Sequence, residues 1–79
     1  MKVRVSLFGT LGQEFPEYQP SQGMEVELPE GATVADLLAR LGLPESRGPV
    51  VIAGGRVLKA EERLQRGVAV NIMQAIGGG

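Results

Sequence analysis

The sequence predicts a two-layer α+β domain, one main helix packed on a mixed sheet of about five strands. Three observations predict it. Short runs of alternating apolar residues stand near both ends of the chain, the mark of half-buried strands. A single segment between them carries a helical apolar stripe. The 79 residues suffice for one domain with a small core. A helix with one stripe can bury it only against the apolar face of a sheet, which sets the two layers.

The first strand is read over 2–8, where Val3, Val5 and Leu7 alternate with Lys2, Arg4 and Ser6. Residues 9–23 hold Gly9, Gly12, Pro16, Pro20, Ser21 and Gly23 and read as a long loop. Alternation returns over 24–28 and ends at Pro29-Glu30-Gly31. The helix is read over 33–41, with Val34, Leu37, Leu38 and Leu41 on one stripe. Thr33 is placed to cap it and Asp36 to complete a capping box, and Gly42 to end it in the left-handed conformation. A short strand follows over 49–53, then a hairpin turn at Gly54-Gly55 and a strand from Arg56 to Leu58. Residues 60–66 are polar and read as one short helical turn. Val68, Val70 and Ile72 alternate with Ala69, Asn71 and Met73 to give the last strand. This divides the chain into one domain, 1–76, and a flexible glycine tail, 77–79.

Composition removes several function classes. Eight basic and nine acidic residues leave a net charge of -1, without the basic excess that nucleic acid demands. There is no cysteine and no histidine, so thiolate chemistry, disulfides and the commonest general base and metal ligand are all missing from the sequence. No apolar run reaches the ~20 residues of a membrane span, and the start does not lead into a signal-peptide core. The expectation is a cytoplasmic protein with no membrane, no nucleic acid, no metal and no bound cofactor, and not an enzyme in itself.

The feature that carries chemistry is the end, Ala75-Ile76-Gly77-Gly78-Gly79. Glycine lacks a Cβ, so Gly77, Gly78 and Gly79 form the narrowest and most permissive backbone available. A carboxylate on such a leash can thread a tight channel in a partner. A frayed end is the plain alternative. Against it, the glycines directly follow a strand with no polar run between.

Three pieces in order carry a resemblance. They are Val5-Ser6-Leu7-Phe8 with Leu11, then Leu28 through Leu38 leading into the helix, then Val68 through Gly79. Over nearly its full length the chain resembles the MoaD/ThiS family, the ubiquitin-like sulfur carriers of molybdopterin and thiamine biosynthesis. The resemblance implies a β-grasp fold with the first and last strands side by side in the sheet centre. It implies that an E1-like enzyme adenylates the Gly79 carboxylate with ATP, and that a sulfur donor displaces AMP to leave a thiocarboxylate. A large catalytic subunit such as that of molybdopterin synthase would then receive the tail and the sulfur. Two segments depart from the family pattern. Ala53-Gly54-Gly55-Arg56 stands where an Asn-Gly pair is usual, and Gln65-Arg66-Gly67 where an acidic turn is usual.

Strand parity places Arg4, Ser6 and Phe8 with Ala69, Asn71, Met73 and Ala75 on the sheet face away from the helix. Phe8, Met73, Ala75 and Ile76 are then candidate partner-binding residues leading to the tail. The alternative is that Phe8 folds under the following loop with Phe15. Arg56, Arg63 and Arg66 are either contacts for an acidic partner or a solvated face. Within the carrier class, thiamine, tungsten-cofactor, tRNA-thiolation and amino-acid-biosynthesis pathways stay open beside molybdopterin. Outside it stand a protein modifier conjugated through Gly79 and a plain interaction module.

Overall fold

Val3, Val5 and Leu7 are buried and alternate with residues facing outward along β1, Lys2–Leu7, in a computed structural model that describes residues 1–74. The next strand, β2, Met24–Glu27, pairs antiparallel with β1 and sets Val26 opposite Val3. β3, Pro49–Ala53, and β4, Arg56–Val57, form a hairpin whose two-residue turn has Gly54 at φ 59° and Gly55 at φ 79°. Positive φ at both central positions is what a twisted two-residue hairpin requires, and glycine supplies it without strain. β5, Ala69–Gln74, lies between β1 and β3, parallel to the first and antiparallel to the second. The order β2-β1-β5-β3-β4 with one main helix is the ubiquitin-like β-grasp, with the first and last strands adjacent and central.

The helix, α1, Val34–Leu41, has both ends built as its sequence implies. Thr33 Oγ1 accepts from the Asp36 amide at 3.2 Å, and the Asp36 carboxylate accepts from the Thr33 amide at 2.9 Å. Gly42, at φ 73°, closes the other end, where the Leu43 amide reaches back to the Leu38 carbonyl at 2.9 Å. Val34, Leu37 and Leu38 are buried against the sheet and Leu41 half-buried. Leu11, Leu28, Ala32, Leu43 and Leu64 complete the core from outside the regular strands and α1.

Residues 60–66 do not form a helical turn. They run past the start of α1, and the Glu62 and Ala60 carbonyls accept from the Val34 and Ala35 amides, each at 2.9 Å. The first amides of any helix lack partners within it. Here a second segment supplies them, and the Leu64 amide returns a bond to the Ala32 carbonyl at 2.8 Å. Only the middle of the segment runs extended, between a turn in which the Glu62 amide donates to the Lys59 carbonyl at 3.1 Å and another in which the Val68 amide donates to the Gln65 carbonyl at 3.0 Å.

The loop over 9–23 is more ordered than its composition implies. It holds a 3-10 helix, Gly9–Glu14, and a bridge between Gln19 and Gly23. Tyr18 fastens it to β1. Its hydroxyl accepts from the Leu7 amide at 2.9 Å and donates to the Leu7 carbonyl at 3.1 Å. A second 3-10 helix, Glu45–Arg47, precedes β3. Among the described residues, no helix is long and apolar enough to cross a membrane.

Candidate functional site: the outer sheet face and the end of the last strand

The ladder that holds β5 continues one residue past β1, where the Phe8 amide donates to the Ile72 carbonyl at 2.9 Å. Register then sets Met73 opposite Val50 and Gln74 opposite Pro49 on the other side. Parity sends Val70 and Ile72 into the core and Asn71 and Met73 to the outer face. Phe8 is 47% exposed, while Phe15 is the aromatic that packs partly against the core. Phe8 therefore does not fold under the loop. Met73 is half-buried, and a shallow cavity of about 380 Å³ lies between Phe8, Gly9, Thr10, Met73 and Gln74. A second, of about 650 Å³, opens on the other side of Phe8 along Ser6, Gly12, Tyr18 and Pro20.

The outer face extends this apolar surface across β3 and β4. Val50 sits opposite Met73, Ile52 opposite Asn71, and Val57 opposite Ile52. Val57 is 61% exposed. Lys2, Arg4, Glu25 and Glu27 occupy the same face on β1 and β2, so one half is charged and the other apolar. The arginines fall into two groups. Arg56 is paired with the half-buried Glu62 and Arg66 with Glu30 at the surface, whereas the Arg63 backbone forms a bridge with Thr33.

Two features at the strand end were not read from the sequence. One is the Tyr18 hydroxyl on Leu7. The other is Arg47, which forks onto both Glu14 carboxylate oxygens and reaches Gln74. The hydrogen bond from Arg47 holds the Glu14 carboxyl below its ordinary value and raises Arg47 in turn. Both pairings span 27 or more residues of chain, so no local spacing announces them. Ala75, Ile76, Gly77, Gly78 and Gly79 lie outside the described residues.

Among the described residues no side chain is both buried and polar, and no His/Cys/Asp/Glu cluster is arranged to hold a metal. What the described residues offer is a partly apolar outer face and a strand end that leads in sequence to Ala75 through Gly79. A β-grasp whose central last strand runs into a glycine end has the build of the ubiquitin-like carriers and modifiers.

The family comparison narrows that class. A model of the ThiS family matches residues 5–79, and the chain belongs to that family, within the wider MoaD/ThiS group. Among solved structures, SAMP1 from Haloferax volcanii matches with a TM-score of 0.71 and 19% identity, covering 100% of both chains. A Pyrococcus furiosus protein assigned as molybdopterin converting factor, subunit 1, matches with a TM-score of 0.71 and 27% identity, over 94% of this chain and 97% of that one. A further crystal structure of the H. volcanii small archaeal modifier protein 1 gives a TM-score of 0.66 at 20% identity, covering 92% and 95%. No curated protein matches.

Proposed function

We propose that the protein is a sulfur carrier whose Gly79 carboxylate is activated and thiolated by partner enzymes. One observation carries this reading: the family match runs through Gly79 and so includes the glycine end. In the first step an E1-like enzyme joins the carboxylate to the α-phosphate of ATP and releases pyrophosphate. Sulfur at the sulfide level, delivered as hydrosulfide by a donor, then attacks the acyl carbon, AMP leaves with the bonding pair, and loss of the sulfur-borne proton gives a thiocarboxylate. The partners supply the bases and any metal, and the carrier supplies one reactive atom and a surface. A chain without cysteine or histidine suits that division of labour. The molybdopterin pathway is favoured by the 27% identity to the P. furiosus converting-factor subunit, with a synthase large subunit as the sulfur acceptor. The cytoplasm, where ATP is at hand, is its place of action.

Length is the constraint on the tail. Reacting atoms must approach to ~3–3.5 Å, and one extended residue spans ~3.3–3.6 Å. Deleting Gly79 therefore displaces the acyl carbon by a full attack distance, and pyrophosphate exchange with the E1-like enzyme of the same host is expected to vanish. The melting midpoint should stay put, because glycine has no side chain to bury and so contributes almost no apolar area. Intact mass spectrometry of protein from its own host should show one oxygen replaced by sulfur. Full exchange activity in the Gly79 deletion would falsify the carrier reading.

A second reading is a protein modifier, favoured by the full-length fold match to SAMP1. It shares the adenylate step. Adducts of high molecular weight that survive denaturant and thiols, and that disappear with Gly79, would support it.

A further inference from the structure

Three elements distant in sequence meet at the end of β5. The Arg47 guanidinium donates through Nη1 to Glu14 Oε1 at 2.7 Å and through Nη2 to Glu14 Oε2 at 2.5 Å. The same Nη2 donates to Gln74 Oε1 at 3.0 Å. Glu14 ends one 3-10 helix and Arg47 ends the other, and Gln74 is the last residue of β5. One planar group thus ties both loops to the residue that precedes Ala75.

The tie falls where the backbone ladder weakens. On the β1 side the last described bond to β5 reaches Ile72, two residues short of Gln74. By parity Gln74 projects to the side of β5 opposite Met73. The strand end is therefore held by Arg47 on one side and bordered by Phe8 and Met73 on the other. Arg47 is itself set firmly, since Gly48 at φ 68° turns the chain behind it and returns its amide to Glu45 at 2.9 Å. The Glu14 and Arg47 side chains are 42% and 32% exposed, and pairs so open to water add little stability. A two-pronged fork nevertheless fixes direction far better than a point charge does.

We propose that Arg47, steadied by Glu14, is a positioning residue that acts through Gln74 to hold in place the end of β5, from which residues 75–79 follow in sequence. The proposal rests on the sulfur-carrier reading, because the reaction it serves is adenylation of Gly79. Freedom at Gln74 adds to that of the five residues that follow it and enlarges the search that the acyl carbon must make. The acyl carbon then samples more space around the ATP phosphate, and turnover falls while docking through the outer face persists.

The experiment uses the full chain with the E1-like enzyme of the same host and reads ATP–pyrophosphate exchange. Arg47→Ala should lower kcat about tenfold and leave KM for the carrier within about threefold. Its melting midpoint should shift by less than about 3 °C. Gln74→Leu, which removes the acceptor, should reproduce the kcat loss, and the double variant should be no worse than either single one. Unchanged kcat, a raised KM with kcat kept, or losses that multiply in the double variant would each overturn the proposal. Nitrogen-15 relaxation of the Gln74 amide separates the two ideas. A parent without exchange whose Gln74 loosens in Arg47→Ala removes the carrier reading and keeps the tie. A parent with exchange whose kcat and Gln74 are unmoved by Arg47→Ala removes the tie and keeps the carrier.

Discussion

Replacing Tyr18 by phenylalanine tests how the loop over 9–23 is attached. Odd-numbered residues of β1 turn their amides and carbonyls toward β2, as the bond from the Leu28 amide to the Met1 carbonyl shows. β2 begins at Met24, opposite Val5, so nothing of that strand reaches Leu7. The Tyr18 hydroxyl takes the place of the missing strand residue and satisfies both groups of Leu7. Leu7 is only 7% exposed, so water replaces the hydroxyl poorly. An unsatisfied buried donor or acceptor costs ~1–3 kcal/mol, and with partial access of water to this site we expect about 1–2 kcal/mol in all. For a domain of this size that is a fall of about 5–15 °C in the melting midpoint. The phenylalanine ring still packs on Gly12, so the loss isolates the hydroxyl. Calorimetry gives the midpoint, and amide exchange should show the Leu7 proton losing protection while Val5 keeps its own. A midpoint within about 1 °C of the parent, with Leu7 still protected, would refute the substitution of hydroxyl for strand.

Other outcomes follow from the same structure. Leu38→Ala, which empties a buried position on α1, should cost about 2–5 kcal/mol by denaturant unfolding. Gly12→Ala places a Cβ 2.8 Å from the Tyr18 ring and should reduce Leu7 amide protection by displacing that ring. Met73→Glu, on the outer face, should leave the circular dichroism melt within a few degrees but raise KM for the activating enzyme about tenfold or more, since a charge would be buried there unpaired. Unfolding instead would assign Met73 to the core. Glu14, Glu27 and Glu62 are each held below their ordinary value of 4.5, first by hydrogen bonds from Arg47, the N-terminus and Arg56 respectively. Their contribution to stability is present above that value and lost as pH falls through the lowered one, because the unfolded chain binds the protons first. Melting midpoints across the acid range should decline there, and less steeply in high salt.

Local rules were legible wherever the partners are near in sequence. Thr33 and Asp36 are three residues apart and cap as their spacing implies, and Gly54-Gly55 turns the hairpin at the expected pair. The strand pattern placed β5 within a residue of its observed span, and parity put Met73 on the outer face. The polar run 60–66 has no period to announce its conformation, which is set instead by the Ala60 and Glu62 carbonyls answering the helix amides of Ala35 and Val34. Tyr18 and Arg47 were invisible for the same reason. An isolated tyrosine in a loop, or one arginine among six, carries no sign of a partner 11 or 33 residues away. The outer apolar face was half legible. Phe8 and Met73 came from parity, but Val50, Ile52 and Val57 needed the β3–β5 register.

The central parallel pair has a mechanical consequence. β5 is bonded to β1 on one edge and to β3 on the other, and the chain's C-terminal segment continues from its end. A pull on that segment along the strand axis loads both ladders in shear. Their bonds share the force and must fail together, whereas an edge strand peeled sideways loses its bonds one after another. Among these is the bond from the Phe8 amide to Ile72, close to where the force enters. A force applied along β5 at Gln74 is therefore carried by the centre of the sheet and shared between two neighbouring strands, so that the described domain resists it as a unit.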